Sequence, residues 1–503
     1  ASEVASAPVR SKPRSASEVA SPRDGTGVPD YKHKQTAKVS GFYDGNSTWR
    51  VRFAPGKVGE WAYEVEATRG ESKASVAGKF QCVESKNPGF VRVDGHHHRG
   101  FTHDDGTPFY LMGGGAFSPW LSWVTGAHDW ESYLAEHERA GMNCVRLFLY
   151  QEPHRGRARR EVVNTIAEGF TDRYDLAIAQ RLDEAMAEAQ KRGVKVILTL
   201  FDHHPQKFNW ERSAFNVLNG GFCTKPADLF TNLRTRDIQF RMVDYVVNRY
   251  GAFANLLAWE FWNEVDLVPG ADLGNDKPAV KWHRDLAQHL AEADPYGHIR
   301  FTSFSSGVID AEWFAEPWNE VISFHHYAAY GGGNERNVDE KLHQALGDLR
   351  ELEKPIVVAE LGHQKKKNDM SAAKGEFLRV AMWSTVFQGN YFILWDDADF
   401  RIMPETRQHV RHLTSFAAAH GLAALHPIVG PSPIAQGEGL RAWQLADEGT
   451  GRKHAVYVRS TRAGAAQVTG ARLALRVRDP GTYRVRWFDP KTGETVQERE
   501  RGT

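Results

Sequence analysis

Large apolar and polar side chains alternate through residues 49–66. Trp49, Val51 and Phe53 are interleaved with Arg50 and Arg52, and Trp61, Tyr63 and Val65 with Ala62, Glu64 and Glu66. A period of two puts each set on one face of a strand. The Pro/Gly stretch at 54–59 then reads as the turn of a hairpin. Further short strands at 78–83 and 90–93 predict a small β-sandwich over residues 31–93. From about residue 100 the pattern changes to short continuous apolar runs, at 109–113, 143–149, 195–201, 256–262, 299–304, 321–325, 355–360 and 391–396. Stretches with apolar residues at helical spacing lie between them, at 176–192 (ending at Gly193, a helix terminator), 238–250, 279–293, 339–352 and 376–388. Strands apolar on both faces and separated by helices are parallel strands covered on both sides. Eight such units predict an α/β fold, a (β/α)8 barrel across residues 94–424, with long loops after 149 and 201. Period-two strands return at 455–458, 473–477 and 483–488 between strong turn signals, predicting a second small β-sandwich over 425–503.

Residues 1–30 are rich in Ser, Ala, Pro and Arg, and the hexapeptide at 1–6 recurs at 16–21. They read as a low-complexity leader or linker, or as an edge strand of the next unit. No apolar signal segment is visible there.

Composition narrows the function. Hydrophobic residues are 41% and charged residues 25% of the 503, which excludes wholesale disorder. Lys+Arg and Asp+Glu are both 63, so the basic surplus of a nucleic-acid binder is missing. No apolar run approaches the roughly 20 residues that span a bilayer. Three cysteines cannot make a disulfide framework. Of 15 tryptophans, 11 fall between residues 101 and 400, where their faces could serve as sugar platforms as well as core. His96, His97 and His98 lack metal-ligand spacing and read as a polar turn entering the barrel, from which one imidazole could still reach the cleft rim. Gly113, Gly114 and Gly115 read as a place of close backbone packing, and Lys365, Lys366 and Lys367 as a solvated loop.

In a barrel of this kind the chemistry sits at the C-terminal ends of the strands. The fourth apolar run leads into Glu264 and the seventh ends at Glu360. They are 96 residues apart, or three units of 32, so their strands lie across the mouth from each other. Two carboxyls facing one bond from opposite sides is the arrangement that glycoside hydrolysis needs. A salt-bridged or helix-capping role is the alternative for each. Glu260 shares a strand face with Glu264 but lies deeper, and reads as structural.

The pair Asn263-Glu264 after an apolar strand, with Glu360 ending a later one, resembles the clan A glycoside hydrolases, the cellulase and mannanase superfamily that includes glycoside hydrolase family 5. The resemblance covers about residues 100–420. It implies that Glu360 is the nucleophile and Glu264 the acid/base of a retaining glycosidase on β-linked saccharides. It also implies that Arg146 helps keep the nucleophile ionised, Tyr327 hydrogen-bonds it, and His325 belongs with Tyr327 to a His-x-Tyr motif. Asn263 would bind the sugar's 2-hydroxyl and Trp395 would floor its subsite. His203, at the end of the third strand, matches the family more loosely. Trp120, Trp123 and Trp210 are candidates for sugar stacking, and Asp396 and Asp397 for binding sugar hydroxyls. A carboxyl separation of about 5–5.5 Å is expected, with Glu264 protonated by burial and by the charge of Glu360. No metal or organic cofactor is implied; the partner is a carbohydrate, and the location secreted or periplasmic in a bacterium. The flanks resemble sandwich domains of bacterial polysaccharide-degrading enzymes. A non-catalytic carbohydrate-binding barrel and a metal-dependent hydrolase using the histidine triplet are the competing readings.

Overall fold

A computed structural model describes residues 37–116, 130–149, 174, 176–305, 310–327, 337–363, 372–395, 404–428, 430, 432–447, 450–462 and 468–502. Trp120, Trp123, Lys365 to Lys367, Asp396, Asp397, residues 1–30 and the loop 150–170 lie outside these.

The eight apolar runs become one parallel sheet closed into a barrel. The barrel strands are, in order, Met112–Ala116, Cys144–Phe148, Lys195–Asp202, Leu256–Asn263, a split fifth strand of Ile299–Phe301 and Ser303–Phe304, then Ile322–Tyr327, Ile356–Gly362 and Tyr391–Leu394. Closure runs through the split. Ile299–Phe301 pairs with the fourth strand and Ser303–Phe304 with the sixth. At the break, the backbone N–H of Thr302 donates to the Asn319 side chain and its hydroxyl to the Trp262 carbonyl. The first strand starts three residues later than predicted, because Pro108–Phe109 pairs with Phe101–His103 instead.

Helices cover the outside. Leu176–Lys191 turns Leu182, Met186 and Ala189 inward. Leu233–Tyr250 begins earlier than its apolar pattern suggests, because the Asn232 side chain accepts from the Thr235 N–H and caps it. Trp130–Ala140 and Pro404–His420 are two further helices that the sequence pattern did not reveal.

The N-terminal residues form small sheets with a different pairing from the one expected. Gly59–Arg69 pairs with Ser72–Cys82, placing Trp61 opposite Phe80, while Trp49–Arg50 pairs with Phe42–Tyr43. The turn is at Gly70, whose left-handed backbone (φ 57°) suits a tight reversal. Phe53 and Trp61, from the two runs expected to pair, meet through their rings, at 5.2 Å. Val91–Val93, Phe101–His103 and Pro108–Phe109 make a three-stranded sheet. Its Val91, Phe101 and Phe109 join the cluster containing Leu111, Cys144, Ile197 and Tyr391, plugging the N-terminal end of the barrel. His96 to His98 sit on this plug in an exposed turn, with Asp94 accepting from the backbone of His96 and His97. They are therefore at the opposite end from the strand termini, and none reaches the cleft rim.

At the C-terminus, Leu440–Ala446 pairs with His454–Ser460 and with His426–Pro427, and Thr482–Asp489 forms a hairpin with Glu494–Gly502. The first of these sheets is fixed to the barrel by Asp339, which is fully buried and holds Arg441, Arg459 and the Trp443 indole.

Candidate active site

Arg146, in the middle of the second strand, is fully buried. Its Nε and Nη2 donate to the two oxygens of Glu260, at 2.6 and 2.7 Å. Its Nη1 donates to Glu360 at 2.8 Å, and Nη2 also to the Asn263 Oδ1 at 2.8 Å. Thr199 and Ser303 complete Glu260, each donating a hydroxyl at 2.6 Å. A buried carboxylate with this many donors is structural, as its depth suggested, and it orients the arginine toward the mouth. The guanidinium lies between the Phe148 and Trp395 rings, at 4.6 and 5.7 Å. Trp395 has room because residue 115 is glycine. A Cβ there would stand 1.8 Å from the indole.

Glu360, near the end of the seventh strand, accepts from Arg146 and from the Tyr327 hydroxyl in a short bond. Glu264 lies one residue past the fourth strand with a left-handed backbone (φ 49°, ψ 56°). A non-glycine residue pays roughly 1–2 kcal/mol for that conformation, and strain of this kind clusters at functional positions. His325 bridges the two glutamates through one nitrogen: Nδ1 is 2.7 Å from Glu264 and 3.3 Å from Glu360. His203 approaches Glu264 from the other side, Nε2 to Oε2, at 3.3 Å. Ligand-type atoms of Glu264, His325 and Glu360 all lie within 4.8 Å of one another. A carboxylate oxygen of Glu264 thus comes within 4.8 Å of one of Glu360, so both can face one bond. The same three side chains are the one group of described residues close enough to hold a cation. Hydrogen bonds among them and the charge of Arg146 already account for their convergence.

The electrostatics differ from the sequence expectation at Glu264. Burial does disfavour its charge, but the charge and hydrogen bond of His325 and the charge of His203 outweigh burial and hold the carboxyl below its ordinary value. His203 is the group pushed up, to about 9. Burial opposes this, but its hydrogen bond and charge contact with Asp202 prevail, helped by Glu264 and Glu360. Asp202 is held down at about 2: burial raises it, and His203, His204 and Asn263 more than compensate. Arg146 is also raised, burial being outweighed first by Glu260 and then by Glu360.

The structure thus brings Arg146, His203, Asn263, Glu264, His325, Tyr327, Glu360 and Trp395 to one place. Trp120 lies outside the described residues. Trp210 packs on the main core, its indole N–H on the Thr224 carbonyl. Sequence reasoning left out Asp202, Thr199 and Ser303. Inward register beside Glu260 could have pointed to Thr199, since the two pair directly.

The family description cellulase (glycosyl hydrolase family 5) matches residues 102–393, and residues 12–68 match a domain of unknown function, DUF5060. Among curated relatives, mannan endo-1,4-beta-mannosidase F of Aspergillus fumigatus is 24% identical over 39% of this chain and 43% of its own length. Mannan endo-1,4-beta-mannosidase 7 of Arabidopsis thaliana is 24% identical over 59% of this chain and 74% of its own. The chain thus spans less than half the length of the Aspergillus relative. Among solved structures, a glycoside hydrolase family 5 protein from Bacteroides vulgatus ATCC 8482 is similar with a TM-score of 0.56 at 16% identity, covering 83% of this chain and 89% of that one. A glycoside hydrolase family 5 mannosidase from Rhizomucor miehei gives 0.51 at 14%, covering 67% of this chain and 99% of that one. These two likenesses bear on the fold alone. With the family match extending over most of the barrel, this chain belongs to the cellulase family, glycosyl hydrolase family 5.

Proposed function

We propose that the chain is a retaining glycosidase acting on a β-linked polysaccharide, with β-1,4-mannan, named in the relatives' descriptions, as the first substrate to test. The supporting observation is that a carboxylate oxygen of Glu264 and one of Glu360 come within 4.8 Å of each other at the barrel mouth. Glu360, which accepts from Arg146 and Tyr327, attacks the anomeric carbon. Glu264 protonates the departing oxygen and then activates the water that releases the glycosyl-enzyme. Asn263, its amide oriented by Arg146, stands beside the reacting sugar to bind its 2-hydroxyl, and Trp395 forms the floor. A polymeric substrate places this work outside the cell membrane, and no helix among the described residues is long and apolar enough to cross one. No observation favours a binding-only barrel or a histidine-triplet metalloenzyme. The proposal also keeps the division into residues 1–30, 31–93, 94–424 and 425–503, although the plug sheet joins strands from both sides of residue 93.

The two glutamates are distinguished by leaving group. Glu264→Ala should keep much of its first-step rate on an activated aryl glycoside and nearly stop on polysaccharide, since only a poor leaving group needs the proton. Azide should accelerate it and yield a glycosyl azide of retained configuration. Glu360→Ala should be inactive on both, with azide giving the opposite configuration. Swapped outcomes would reverse the roles, and wild-type protein inert on all β-linked substrates would remove the proposal.

A further inference from the structure

One buried charged pair beside the glutamates has no part in the double-displacement scheme. Asp202 and His203 are neighbours in sequence, and on a continuing strand their side chains would point to opposite faces. They converge because the third strand ends at Asp202 and His203 already has helical backbone angles (φ −69°, ψ −27°), starting the short helix His204–Phe208. Three side chains are thereby set in line. The Asp202 Oδ1 is 3.2 Å from the His203 Nδ1, and the His203 Nε2 is 3.3 Å from the Glu264 Oε2. Both Asp202 and His203 are buried, at 3% and 4% exposure. The same Asp202 oxygen accepts from the Asn263 Nδ2 at 2.8 Å, while the Asn263 Oδ1 accepts from Arg146. The amide is thus fixed with its donor toward the aspartate and its acceptor toward the arginine.

We propose that Asp202 is a positioning residue that keeps His203 as an imidazolium facing Glu264, so that the pair serves as a proton reserve for the acid/base. This rests on the assignment of Glu264 to that role. In the free enzyme the proton sits on the imidazole, between two carboxylates, and Glu264 is ionised. When a bound saccharide expels water, a separated charge pair becomes costly relative to its neutral form. The His203 Nε2–H bond then breaks and the Glu264 Oε2–H bond forms. The imidazole is left neutral, with Nδ1–H still on Asp202, and Glu264 is ready to protonate the leaving oxygen. The water activated in the second half-reaction returns the proton to Glu264. No other reactant is needed. The charged and titratable groups around His203 fit this balance. His204 lies beside it; Asp202, Glu264 from the exit of the fourth strand and Glu360 from the seventh act on it directly, and behind Glu264 stand Asp266 and, from the sixth strand, His325. Arg146 is largely committed to Glu260, which leaves Asp202, Glu264 and Glu360 to favour the imidazolium.

Two measurements test this, and the first needs no substrate. Side-chain ¹⁵N NMR of histidine-labelled full-length protein, with His203→Gln to assign the signal, follows protonation of His203. In the wild type it should stay protonated beyond about pH 8, and in Asp202→Asn its midpoint should fall by about 1–3 units. A wild-type midpoint near 6.5, or no difference in Asp202→Asn, would overturn the proposal. The second is the pH profile of kcat/KM on β-1,4-mannan and on a 2,4-dinitrophenyl β-glycoside. Asp202→Asn should move the alkaline limb to lower pH by about 1–3 units on the polysaccharide but not on the activated substrate, and Asp202→Glu should partly restore it. A uniform loss at every pH with the limb unmoved would indicate packing alone and overturn the proposal. If the wild type cleaves neither substrate, the glycosidase reading fails, and the NMR titration still decides whether Asp202 holds the proton on His203.

Discussion

Replacing Glu260 by glutamine keeps the shape of the buried arginine site and removes one charge. Glu260 takes four donors on two oxygens: two guanidinium N–H groups from Arg146, and the hydroxyls of Thr199 and Ser303. A hydroxyl can rotate to accept from an amide NH2. A guanidinium N–H cannot, because arginine has no acceptor. Whichever way the glutamine amide turns, its NH2 meets one N–H of Arg146. The variant therefore breaks a buried ion pair and leaves opposed donors, for which removal of one partner typically costs about 3–5 kcal/mol. At roughly 2 cal/mol/K of unfolding entropy per residue, a domain of about 330 residues shifts by about 1.4 °C per kcal/mol, so the melting temperature should fall by roughly 4–7 °C. Thr199→Val, which removes one of the four donors and no charge, should cost about 1 kcal/mol. Scanning calorimetry and urea titration of both variants read this directly. Because the same guanidinium holds Glu360 and Asn263, kcat should fall in Glu260→Gln even where the protein remains folded. A Glu260→Gln protein within about 1 kcal/mol of wild type would sink the argument that this carboxylate is the arginine's principal counter-charge.

Gly115→Ala forces a methyl group into the Trp395 indole, so the tryptophan must leave its place beside Arg146. KM on an oligosaccharide should rise at least as much as kcat falls, and tryptophan fluorescence should report the displaced ring; an unchanged KM would refute its role as floor. The Asp202–His203 pair also predicts how stability varies with pH. His203 has its pKa raised from 6.5 to about 9, so its contribution is full below about 6.5 and is lost as pH rises through about 9. Asp202 is lowered from 3.8 to about 2, so its contribution is full above about 3.8 and is lost as pH falls toward 2. Urea midpoints measured from pH 6 to 10 should decline in the wild type and flatten in His203→Gln; identical slopes would contradict the pairing.

How much of this was visible in the sequence depended on whether the determining contact was local. The barrel strands were legible because strands covered on both faces read as unbroken apolar runs. The strand ends then placed Glu264 and Glu360. The hairpin pairing was misread because alternation reports which face is buried, not which neighbour is bonded, and Gly70 rather than the Pro/Gly stretch makes the turn. Asp202 stood in plain view beside His203, but alternation sends adjacent residues apart, and only the turn into helix at His203 unites them. The protonation of Glu264 was misjudged for a related reason. Desolvation was correctly anticipated, whereas His203 and His325 arrive from the third and sixth strands, and no local pattern announces that convergence.

The interrupted fifth strand makes the barrel a zipper with an incomplete row of teeth. Most neighbouring strands are stitched along a shared length, but here one short segment grips the left-hand neighbour, another grips the right, and Thr302 is held by side-chain and carbonyl contacts instead. Any breathing motion that opens the cylinder without dissolving it has its natural starting line along this seam. The seam runs beside Glu264, the proposed acid/base, since the Ser303 hydroxyl receives the backbone N–H of Glu264 and itself binds Glu260. A partial opening there would disconnect Glu264 from its scaffold while the remaining strands stayed zipped. Under heat or denaturant the molecule would therefore lose its chemistry before its shape, and amide exchange at Thr302 and Ser303 should be faster than in the second and third strands.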